Sequence, residues 1–278
     1  MNKFLTLAAS MALISGQLLI TGCSSDDDGG GGGGTATVPA NAIEIDANNA
    51  EPLVAVAVSS ATALGTIANA AETTQILSLQ SAINIIQPIL KNISTANVAT
   101  AADFSEPCSG GGTISGSSTE TVNGDTYTET GTASFNDCIE FGYTINGSVS
   151  FTSSENVVTN AYSNDISGSI TVAFSTSDSF SFSNFVYAIT GNNQLFTYTI
   201  SQLTYAIEFV SSTESGGFLV TLTAPIVEST GDFCPESGHI TITGANSTTA
   251  EGIYNGDGST MTIKANGVVV NATAPCYY

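Results

Sequence analysis

The chain has 278 residues, 24 of them acidic and only three basic, for a formal net charge of −21 at neutral pH. It contains no arginine, so it lacks the phosphate-gripping forks and basic patch of nucleic-acid binders, and its charge opposes anionic lipid headgroups. Charged residues make up only 10% of the chain while Ser, Thr, Asn and Gly abound, a neutral-polar surface that suits an extracellular strand protein better than a cytosolic one.

At the N-terminus, Lys3 leads into an apolar stretch from Phe4 to Ile20, the layout of a secretory signal. Ser10, Ser15, Gly16 and Gln17 interrupt it, leaving it too polar for a bilayer span of about 20 apolar residues. Leu19-Ile20-Thr21-Gly22-Cys23 then resembles the lipobox of bacterial lipoproteins. The resemblance covers residues 1–24. It implies that signal peptide 1–22 is removed, that the Cys23 thiol receives a diacylglycerol, and that the freed amine is acylated. Several acyl chains make a stable anchor where one holds only marginally. In that family an Asp after the cysteine commonly favours inner-membrane retention. Ser24 therefore implies the outer membrane, with the protein facing the periplasm or the exterior.

Residues 23–49 read as a lipidated tether. The glycine run that starts at Gly29 is a flexible coil, and Asp26, Asp27 and Asp28 keep it solvated. With no strand before it and no GK[ST] after it, the run is not a phosphate loop.

Residues 50–93 read as a helical hairpin. Pro52 sits well for a helix start and alanines follow, although Val54, Val56 and Val58 also alternate like a strand. From Thr74, the residues Ile76, Leu79, Ile83, Ile86, Leu90 and Ile93 form one helical face, kinked at Pro88.

Residues 94–278 read as strand after strand, with turns at 123–125, 191–193, 215–217 and 255–258. Such short spacing means antiparallel neighbours. The side-chain parity of Phe180 to Phe209 switches at 183–184 and again at 201–202. A turn at 191–193 sets the two switches opposite each other, as paired bulges that curl the sheet. The expected fold is mainly β with a small α part: the helical hairpin packed on a curved antiparallel meander of about ten strands, half-barrel or sandwich-like. The nearest analogy is the half-barrel with helical lid of lipoprotein carriers, at the level of fold alone. Interrupted alternation and disulfides argue against an outer-membrane barrel.

Four cysteines follow the anchor: Cys108, Cys138, Cys234 and Cys276. In an exported chain they read as disulfides, and proximity favours Cys108–Cys138 and Cys234–Cys276. A weak repeat, C-x3-G-x-I-[ST], starts at Cys108 and at Cys234. Each copy is followed by an Asn-Gly-Asp turn and then by a second cysteine, which suggests two disulfide-closed hairpin units, 108–138 and 234–276.

Catalytic signatures are sparse. His239, the only histidine, stands where the first repeat has Thr113, so it reads as a strand-face residue, and no GxSxG elbow exists. Asp125 and Asp257 in the Asn-Gly-Asp turns, with Asp137 and Glu140 beside Cys138, are weak calcium candidates, and the Asn-Gly-Asp turns read simply as hairpin chemistry. Tyr and Phe rows read as core, because tryptophan, the best stacking platform for sugars, is absent. The expectation is a non-enzymatic outer-membrane lipoprotein without cofactor or metal, binding the membrane through its lipid and other envelope proteins through its domain. The alternative is a carrier of an apolar or lipid ligand between helices and curved sheet.

Overall fold

The computed structural model describes residues 35–62, 102–140, 142–173, 179–192, 197–210, 215–229 and 234–276. Among the described residues one α-helix, α1 (Ala50–Thr62), precedes twelve strands. They are β1 (Ala102–Pro107), β2 (Thr113–Asn123), β3 (Thr126–Glu140), β4 (Tyr143–Asn156), β5 (Ala161–Ala173), β6 (Ser179–Asn192), β7 (Thr197–Val210), β8 (Ser215–Ser229), β9 (Ser237–Thr243), β10 (Thr249–Tyr254), β11 (Thr260–Ala265) and β12 (Val268–Pro275). Every strand pairs antiparallel with its chain neighbours in the order β1 to β12, and the ends do not meet, so this is an open meander. The sequence anticipated about ten strands. The surplus comes from β1 and from the C-terminal third, where 237–275 holds four short strands.

Alternation places one face of the sheet inward. Phe135, Ile145, Phe151, Ile166, Phe182, Tyr187, Ile200, Tyr205, Val220, Ile240, Ile263 and their same-parity neighbours are buried on it. A line of irregularities crosses that face from β3 to β9. Asn136 and Asp137 oppose Asn146 alone, and Ser183 and Asn184 oppose Ser169 alone. Further extra residues fall on β6, β7 and β8. Asp137, Gly147, Gly168, Asn184 and Gly238 on this line all have positive φ. Side chains lock two of the bulges: Asn146 Oδ1 accepts from Asp137 N at 2.8 Å, and Ser169 Oγ from Asn184 N at 2.9 Å. Aligned bulges bend every strand at the same level, and the sheet is creased there.

Both parity switches expected between β6 and β7 are present, but they are not opposite each other. Asn192 still pairs with Thr197, so the turn falls later than 191–193. Residues 184–185 consequently oppose Tyr205, while Ser201 is the extra residue between the partners of Ala188 and Ile189. Gly191 stays in the ladder because Tyr162 lies across it; a Cβ there would come within 2.4 Å of the Tyr162 hydroxyl. The Ser-Gly-Gly stretch at 215–217 is likewise the start of β8 rather than a turn. Its glycines admit the incoming chain: Ala42 bridges Gly217, and a Cβ on Gly216 would meet the Ile43 side chain at 2.6 Å.

Residues 35–49, assigned by composition to the tether, thus run against the sheet. Ile45 is buried, its N–H donates to Thr248 Oγ1 at 2.9 Å, and its carbonyl accepts from Asn266 Nδ2 at 3.1 Å. Asp46 starts the helix, its Oδ1 accepting from Asn48 N and Asn49 N at 2.7 and 3.1 Å. The Asn48 N–H above all holds the Asp46 carboxyl below its ordinary pKa. Ala50, Leu53, Val54, Ala57 and Val58 of α1 are buried, a helical stripe packed on β9, β10 and β11. Helix is therefore the outcome where the valines alternate, because the alanines between them leave room for close packing. A Cβ on Gly252 of β10 would lie 2.6 Å from Val54. The second helix expected at 74–93 lies outside the described residues, as do residues 1–34 with Cys23.

Candidate functional site

The outward face of the sheet is a lattice of hydroxyls. Following the register across one level, Thr121, Thr128, Ser154, Ser163, Thr190 and Thr199 stand side by side on β2 to β7. A second level reads Ser117, Thr132, Ser150 and Ser167, then Val186, Thr204, Thr221 and Thr241 on β6 to β9. Outward strand positions two apart along the chain and about 4.8 Å apart across it give such a lattice a fixed spacing.

Near the β2–β3, β4–β5 and β6–β7 turns this face is hollowed into an open groove of about 660 Å³ that crosses β3 to β8. Its walls are the outward Thr126, Ser154, Asn156, Ser163, Thr190, Thr197, Thr199 and Ser229, with Ala161 and Val227 as the apolar exceptions. Tyr162, Gly191 and Tyr198, of opposite parity, complete it. The twist of a broad sheet makes it saddle-shaped, so even its solvent face is concave along one diagonal. Hydrogen bonds preset several groups: Thr128 Oγ1 donates to Ser154 Oγ at 3.2 Å, and Asn156 Nδ2 to Thr126 Oγ1 at 3.0 Å.

No lining residue carries a charge. Burial raises the pKa of Tyr162. Burial, then the hydrogen bond to Glu228, raises that of Tyr198 well above the usual phenol. Both rings therefore stay neutral, and Tyr198 donates its O–H to Glu228, leaving its oxygen as an acceptor. Beside them, Tyr187 is 1% exposed and its hydroxyl has no hydrogen-bond partner among the described residues. Chemically, the groove can donate to and accept from an uncharged polar ligand.

Of the acidic residues singled out in the sequence, Asp125 borders the groove next to Thr126 and the others lie elsewhere. Asp125 sits in the β2–β3 turn, where its carbonyl accepts from Val157 N at 3.0 Å. Asp137 is engaged with Asn146 in the β3 bulge. Glu140 accepts from both the N–H and the Oγ of Ser109 at 2.7 Å. Asp257 caps the β10–β11 turn, and hydrogen bonds led by the Thr260 hydroxyl lower its pKa to about 2. Of these four carboxylates, that of Asp257 caps a turn, that of Asp137 secures the β3 bulge and that of Glu140 holds Ser109. Glu140 also lies near both sulfurs of Cys108 and Cys138, but those are bonded to each other.

Both expected disulfides form, with Cα–Cα distances of 5.4 Å for Cys108–Cys138 and 5.6 Å for Cys234–Cys276. The units they close differ. The first spans the β2–β3 hairpin, the second the four strands β9 to β12, so the two-hairpin repeat reduces to its opening motif. That motif is real at one point: Gly112 and Gly238 both have positive φ, and Ile114 and Ile240 after them are both buried. His239 is a strand-face residue, half-buried on β9, with Nε2 3.0 Å from Glu251 Oε2. Lys264 approaches the same oxygen at 3.7 Å, so the histidine and one of the chain's three lysines share one carboxylate.

The groove itself was missed. Its signal was present as alternating Ser and Thr in each strand, but aligning those positions needs the register, which short sequence turns do not fix. Comparison of the chain with protein-family models, curated proteins and solved structures finds no match. No helix among the described residues is long and apolar enough to cross a membrane.

Proposed function

We propose that the protein is a non-enzymatic, lipid-anchored binding module of the outer membrane, facing the periplasm or the exterior, that presents its hydroxyl-lined groove to envelope or surface partners. The observation that carries this reading is the groove itself: a broad, uncharged, hydrogen-bonding surface on a sheet braced by two disulfides. The lipobox-like stretch at 19–23 and the glycine run behind it supply the anchor and the reach. In Cys23→Ala the unlipidated precursor accumulates and leaves the outer-membrane fraction. A variant processed and fractionating like the wild type refutes the anchor, and with it the module's place.

The helical hairpin belongs to the same reading. Helix α1 packs on β9 to β11, whereas Phe151, Ile170, Phe182 and Phe185 are buried on β4 to β6. The Ile76–Ile93 face is the most apolar single surface in the sequence and complements those rows. The same burial favours one second reading, a carrier of an apolar or lipid ligand held between that helix and the sheet. Native mass spectrometry of the purified protein separates them: a co-purifying lipid supports the carrier, a bare mass the filled core.

A further inference from the structure

We infer that the groove across β3 to β8 binds a neutral polysaccharide chain, an inference that rests on the binding-module reading and names its ligand class. The groove runs over six strands, about 24 Å at ordinary strand spacing, which suits an extended polymer rather than a single small molecule. Its Ser and Thr hydroxyls each donate and accept, as Asn156 does through its amide, and a sugar's hydroxyls need that pairing along their length. Charge selects further. An anionic chain would meet a protein of net charge −21 with no cation in the groove to receive it.

The test is affinity electrophoresis of the full-length lipidated protein in a polyoxyethylene detergent, through native gels containing dextran, laminarin or soluble mannan, with alginate as the anionic control. Retardation in at least one neutral gel and none in alginate is expected. Thr190→Val with Thr199→Val removes two hydroxyls at constant shape, and at about one hydrogen bond each it weakens retention about tenfold. Thr132→Val with Thr221→Val, on the lattice level outside the groove, leaves it unchanged, and thermal melts of both pairs confirm folding. No retardation of the wild type in any neutral gel, stronger retention in alginate, or equal retention of the two double variants overturns the inference. Those results leave the anchored module standing, because Cys23→Ala fractionation tests that separately.

Discussion

At the residue scale, the crease rests on a few positions that ordinary side chains resist. Gly147 on β4 and Gly168 on β5, partners of Ile170 and Val149, have φ of +119° and +155°. A Cβ on either would come within 2.2 Å of a carbonyl oxygen of the neighbouring strand, Ser169 or Ser148. Gly147→Ala is thus expected to destabilise by about 1–3 kcal/mol, read as a lower denaturation midpoint. Asn184 at φ +49° is already a residue that tolerates the left-handed region, so Asn184→Gly stays near neutral while Asn184→Val does not. Asp257 carries a pH prediction. Its folded pKa is depressed to about 2, so its hold on the β10–β11 turn is intact above the ordinary carboxylate range and is lost as pH falls through that value. Exchange of the Ser259 and Thr260 amides should quicken on acidification relative to the same amides in Asp257→Asn, and identical profiles would discount the cap. Turns built on Asn-Gly-Asp were legible from sequence because their glycines do local work. The glycines at 191, 216 and 217 were not, because theirs is to admit Tyr162, Ile43 and Pro39 from distant parts of the chain.

At the element scale, α1 depends on a cap and on one stripe. Asn49 is buried with both amide atoms engaged, Oδ1 accepting from Asp46 N and Nδ2 donating to Glu44 O. Asp46→Ala removes the acceptor for two N–H groups and should cost about 1 kcal/mol, with faster exchange centred on the Asn48 and Asn49 amides that lead into α1. The helix was legible from Pro52 and the alanines, and the competing strand pattern of its valines fails because Ala57 and Ala50 complete the stripe at helical spacing. Strand identity was equally legible. Strand partnership was not: the β6–β7 turn sits later than its glycine suggests, and that slip alone separates two bulges that the sequence places side by side. The hydroxyl lattice follows the same logic, since every strand carries its share of Ser and Thr but only the register lines them up.

At the scale of the whole molecule, a meander in which each strand hydrogen-bonds only to its chain neighbours resembles a one-dimensional array, whose ends open before its middle. The two edges are protected differently. β1 carries Asp103, Glu106 and Pro107, residues that discourage further pairing, while β12 leaves Val268 and Val269 exposed and uncharged. Each disulfide acts near one of these edges. Cys108–Cys138 ties the end of β1 to β3, and across 109–137 only Ile114, Ala133 and Phe135 are buried apolar residues, so this hairpin stays ordered largely through its clamp and β4. Cys234–Cys276 ties the start of β9 to the end of β12, enclosing the strands on which α1 packs. In the chain-entropy account each closure contributes about 3–4 kcal/mol, yet the consequences of losing them diverge. Cys108→Ser with Cys138→Ser should raise hydrogen exchange within β1 to β3 and leave β6 to β11 protected. Cys234→Ser with Cys276→Ser should free β12, loosen the α1 contact and lower the melting temperature of the whole domain. Equal global unfolding in both double variants would mean that the twelve strands form one cooperative unit, and that stability is not graded from the edges inward.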